Sequence, residues 1–181
     1  ALGAVAGVPG LNSSSFQSFC VEYNEIVRVG ATYDYVINTG AVNGGRGGQD
    51  SSGIFDPLGE ETAWLYTQFV DGSLSSYDYR GGNRGSDAGQ LQNAIWYLED
   101  EIDRPDTGPK ALGWVEDAEK AVLTGDWSGI GNVRILNMYT TGLESARQDQ
   151  LIMIPTPVAL LMGLPLLGVI GAFRTVRRRG R

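Results

Sequence analysis

The chain has 181 residues, with 42% apolar and 19% charged side chains, so it can bury a core and is not a disordered polymer. Its net charge is −7, but residues 1–150 hold nine basic residues against 21 acidic ones, and the last 31 residues hold five arginines and no acid. An acidic body of −12 repels phosphate backbones and excludes nucleic acid as a partner.

Residues 1–15 are small and glycine-rich and read as an N-terminal arm. Residues 16–22 are aromatic and partly alternating, which predicts a strand carrying Cys20, the one cysteine. Residues 26–29 and 32–38 are β-rich and are expected to pair across a turn at Gly30. Residues 40–53 read as a polar loop. Residues 58–70 predict a helix, with Glu60 and Glu61 in its first turn to complement the dipole. A second loop spans 72–85.

Residues 87–102 give the strongest helical pattern. Ser86 or Asp87 is the expected cap, and Leu91, Ala94, Ile95, Leu98 and Ile102 form an apolar stripe. Glu99, Asp100, Glu101 and Asp103 at its end read as a solvated face. Pro105 and Gly108 break the chain. A third helix is expected over 110–123, on a stripe of Leu112, Val115, Ala118 and Val122. Residues 133–139 read as a strand, and 150–154 as another. The fold class is therefore α+β: an antiparallel sheet or sandwich with about three packed helices.

The tail has a separate character. Residues 158–173 are uncharged, and Val158, Leu160, Leu161, Leu164, Leu166, Leu167, Val169, Ile170 and Phe173 supply its apolar surface. With Thr156 and Pro157 this reaches the roughly 17 residues needed to cross a bilayer. Arg174, Arg177, Arg178, Arg179 and Arg181 follow at once and mark the cytoplasmic side. One transmembrane helix is expected, with the domain at 16–150 outside the cytoplasm. An opening on Ala1 fits an exported chain whose leader has been removed, and equally a chain whose start has been trimmed. The layout resembles the PEP-CTERM sorting signal of Gram-negative bacteria, with Ile154-Pro155-Thr156-Pro157 in the motif position and Gln148-Asp149-Gln150-Leu151-Ile152 before it. Thr156 stands where that family has glutamate. The resemblance implies export and handling by an exosortase-type transpeptidase; the protein is expected in the inner membrane as a single-pass protein, or at the cell surface if the tail is processed.

Histidine is absent, which removes the commonest general base and metal ligand. No Asp-x-Asp-x-Asp-Gly spacing occurs, and Gly44-Gly45-Arg46-Gly47-Gly48 lacks a following Lys-Ser/Thr. No metal, no cofactor and no enzymatic activity are expected. Tyr77, Tyr79 and Trp127 read as packing residues.

Cys20 lies in Phe19-Cys20-Val21-Glu22, and Gln92 in Leu91-Gln92-Asn93-Ala94-Ile95-Trp96. Together these resemble the thioester domain of bacterial surface adhesins, although Leu91 replaces that family's threonine. The supporting residues are Phe19, Glu22, Ala94, Ile95 and Trp96. The resemblance implies an internal Cys20–Gln92 thioester that surface amines or hydroxyls attack. Glu22 or a backbone donor would have to assist, since no histidine is present.

Two functions follow as expectations. The first is a membrane-anchored periplasmic or surface protein for adhesion, matrix or envelope interaction. The second is an accessory subunit of a larger membrane assembly, such as a respiratory or photosynthetic complex, packed through Gly163, Gly168, Gly171 and Ala172. Both make membrane lipid and other proteins the partners.

Overall fold

The computed structural model describes residues 2–4, 15–42, 45–48, 50 and 53–154. The apolar tail and its arginines lie outside the described residues, and so do most of the N-terminal arm and part of the 40–53 segment. Among the described residues no helix is long and apolar enough to cross a membrane.

The architecture is α+β with antiparallel sheets. Strands β1 (Leu2–Ala4) and β2 (Ser15–Gln17) pair with each other. The main sheet has the order β3-β6-β7, from Asp34–Asn38, Val133–Tyr139 and Ala146–Met153. A small ribbon joins β4 (Gly40–Val42) to β5 (Phe55–Pro57). Helices α1 (Glu60–Val70), α2 (Arg84–Leu98) and α4 (Pro109–Leu123) pack on one another, and α3 (Arg104–Thr107) is a single turn.

The helices follow their apolar periodicity. In α2, Leu91, Ala94 and Ile95 are fully buried. That helix starts earlier than expected, at Arg84, because Asp78 accepts hydrogen bonds from the main-chain N–H groups of Arg80, Gly81 and Asn83 and turns the chain into it. Asp87 does not cap the helix; it pairs with Lys110 at 2.6 Å and ties α2 to α4. In α4 the buried stripe is Ala111, Trp114, Val115, Ala118 and Ala121, so Leu112 and Val122 are only half-buried. Trp114 sets that phase: its ring meets Tyr77 at 6.0 Å, and its indole N–H donates to the Ser75 carbonyl at 2.8 Å. Phe19, Tyr66, Phe69, Tyr77 and Tyr79 form a continuous aromatic cluster between α1 and the loop that follows it.

Three expectations are corrected. Residues 26–29 form no strand: Ile26 and Val29 are exposed, and β3 pairs with β6 rather than folding back across Gly30. The 40–53 segment contributes β4 and is not all loop. The domain does not stop at residue 150, because β7 runs to Met153 and buries Leu151 and Ile152.

Candidate functional site

Residues 18–22 run beside β7 and touch it through one antiparallel bridge, between Cys20 and Gln150. The Leu151 N–H donates to the Phe19 carbonyl and the Val21 N–H to the Asp149 carbonyl, both at 3.0 Å. Those bonds flank the bridge, so Cys20 and Gln150 are a non-hydrogen-bonded pair. This is the class of antiparallel pair whose side chains approach most closely. The result is a direct contact: Gln150 Nε2 lies 3.1 Å from Cys20 Sγ.

The same geometry turns the main-chain groups of Cys20 away from β7. Among the described residues no strand receives them. The Gln92 side chain reaches over from α2 instead, accepting from the Cys20 N–H at 2.9 Å and donating to the Cys20 carbonyl at 2.7 Å. One carboxamide thus satisfies both polar groups of a half-buried residue, as a neighbouring strand would. Sequence reasoning brings Cys20 and Gln92 together and the structure places them in contact. The carboxamide against the sulfur, however, is that of Gln150, while Gln92 is bound to the main chain. The sulfur's own environment is apolar enough that burial pushes the Cys20 thiol up, with the Gln150 N–H partly offsetting this.

The flanking residues hold this segment in register. Phe19 and Val21 are buried in the core, and the Ser18 hydroxyl donates to the Leu151 carbonyl at 2.6 Å. Ala94 and Ile95 are buried beneath Gln92 on α2. Trp96 packs edge-on to Tyr23, with ring centroids 4.9 Å apart. Beyond Tyr23, the Glu101 carboxylate accepts from the N–H groups of Tyr23, Arg46 and Gly47. It staples the 45–48 loop to the cysteine segment.

Glu101 and Glu99 correct the expectation of a solvated acidic face. Both are buried, whereas Asp100 and Asp103 are exposed. Glu99 accepts from the Gly59 N–H at 3.2 Å, just before α1. Burial, together with the Asp56 and Asp100 charges, pushes its carboxyl up to about 8.

No protein-family model, no curated protein and no solved structure matches this chain. Two residues sequence reasoning did not pair with the cysteine, Gln150 and Asp149, occupy adjacent positions on β7. A polar run entering an apolar strand end was the available signal, because such residues survive inside a sheet only where something binds them.

Proposed function

We propose that this is a non-enzymatic, exported and membrane-held protein whose ectodomain forms an internal thioester between Cys20 and Gln150 and uses it to attach covalently to nucleophiles at a surface. The observation that carries the reading is the 3.1 Å approach of Gln150 Nε2 to Cys20 Sγ across an isolated antiparallel bridge. The apolar segment at 158–173 with its terminal arginines supports the membrane attachment.

The chemistry balances without a histidine. The sulfur attacks the Gln150 side-chain carbonyl carbon, a C–S bond forms and the C–Nε2 bond breaks. The thiol proton leaves with that nitrogen as ammonia. That nitrogen meets the sulfur as an N–H donor at 3.1 Å and takes up the proton only after the tetrahedral intermediate has formed. A surface amine then attacks the same carbon, forms an amide and returns the thiol. Gln92 is a positioning residue in this scheme: it fixes the main chain of Cys20 and hence the direction of Sγ, and leaves the second carboxamide free to react.

Intact-protein mass tests the proposal. The expected result is a deficit of one ammonia, protection of Cys20 from alkylation in the native state, and a stable adduct at Gln150 after incubation with methylamine. A full-mass protein whose Cys20 is freely alkylated while folded would overturn it. An adduct at Gln92 would move the bond to the other carboxamide.

A further inference from the structure

Two residues beyond Cys20, the chain buries Glu22 completely, with 0% of its surface exposed. Neither of its carboxylate oxygens has a hydrogen-bond donor, and Glu25 Oε2 is likewise buried without one. What faces these oxygens is more negative charge. One carboxylate oxygen each from Glu22, Glu25 and Asp149 lie within 4.8 Å of one another. None of the ion pairs among the described residues involves the three. A buried carboxylate with neither donor nor cation is among the costliest groups a fold can hold, and here the others increase the cost.

We propose that Glu22, Glu25 and Asp149 bind a calcium ion. Two ligands at the usual calcium–oxygen distance of about 2.4 Å can stand at most about 4.8 Å apart across the ion, and the three carboxylates meet that bound. The donor set is all oxygen, which selects a hard cation over zinc or copper. Asp149 is held in place by N–H donors from Val42, Met138 and the Asn137 side chain, so its remaining capacity points one way. Glu22 offers two unpartnered oxygens and Glu25 offers its Oε2. Such a buried site leaves little room for the water shell that magnesium retains. Half-exposed Glu25 gives the ion its way in. Three ionised carboxylates and one calcium carry a single net negative charge, against three for the carboxylates alone. Without the ion, burial, the adjoining Glu25 and the Asp149 and Glu101 charges hold the Glu22 carboxyl above its usual range.

This site does not depend on the thioester, but it would brace it. Glu22 and Asp149 lie at the same end of the Cys20–Gln150 bridge, one from each of the two paired segments, so a shared ion ties those segments together beside it.

The test uses the full chain in mild detergent, stripped with chelator and titrated with calcium chloride by calorimetry and thermal unfolding. One ion per chain is expected, with a rise in Tm of about 5–10 °C at a hundredfold excess over Kd. Glu22→Gln should abolish both signals. Should that variant fail to fold, Glu25→Gln at the half-exposed position should fold and weaken calcium binding about tenfold or more. The proposal is overturned if the wild-type chain gives neither heat nor a Tm shift, which would leave the carboxyls sharing protons. It is also overturned if a folded Glu22→Gln or Glu25→Gln chain binds as tightly as wild type, which would assign the binding to the acidic surface.

Discussion

Replacing Gln92 with alanine removes the two hydrogen bonds that satisfy the Cys20 main chain, at 2.9 and 2.7 Å. Each is worth about 1 kcal/mol if water replaces it, and about 1–3 kcal/mol if the group is left dry. Cys20 is half-buried, so water reaches the vacated side in part. The expected loss is therefore about 2–3 kcal/mol in total, read as a lower urea midpoint with an unchanged slope in tryptophan fluorescence. Gln92→Glu sharpens the test. Its carboxylate can still accept from the Cys20 N–H, but its second oxygen then opposes the Cys20 carbonyl. It should be at least as damaging as alanine at neutral pH and should recover in acid, where a protonated carboxyl can donate again. A Gln92→Ala chain within about 0.5 kcal/mol of wild type would refute the clamp. Its mass is equally informative. With Gln150 as acyl donor, the folded variant keeps some of the ammonia deficit, whereas complete loss would return the acyl role to Gln92.

Stability in chelator should fall as pH rises from about 5 to 8. The folded state holds a proton on Glu99, pushed up to about 8, that the unfolded chain releases near its ordinary 4.5, so folding takes up a proton in that window. The limiting slope is about 1.4 kcal/mol per pH unit for this one group, and Asp56, raised by burial to about 6, adds to it at the acid end. Glu99→Gln keeps an oxygen for the Gly59 N–H and should flatten the profile; a curve parallel to wild type would show that Glu99 does not carry the proton. Gly40→Ala should destabilise by about 2 kcal/mol or more, because a Cβ there overlaps the Asp56 carbonyl oxygen across the β4–β5 ribbon. A thermal melt within 2 °C of wild type, by about the usual scaling, would show that the ribbon moves aside freely.

The helices were legible because a buried face leaves a 3.6-residue period in the sequence, as Leu91, Ala94 and Ile95 do. In α4 the period was visible and its phase was not, since the large ring of Trp114 outweighs Leu112 in choosing the inward face. Local β propensity at 26–29 misled for a related reason: a strand needs a partner, and β6 is taken on its two sides by β3 and β7. Glu99 and Glu101 looked like a surface charge run. Their burial depends on N–H groups of Gly59, Tyr23, Arg46 and Gly47, which reach them only in the folded chain. The motif around Cys20 and Gln92 pointed to one neighbourhood correctly. Gln150 was hidden because its meaning comes from a strand pairing between the two ends of the domain.

That pairing has a mechanical corollary. Tension applied at the C-terminal end of β7 enters at Ile154 and meets Gln150 within four residues. A covalent link from there to Cys20 would carry the load straight across to the other end of the chain. The helices and the main sheet as far as Gln150, enclosed in a loop of roughly 130 residues, would be spared from stretching, and only the last three residues of β7 would lie on the loaded path.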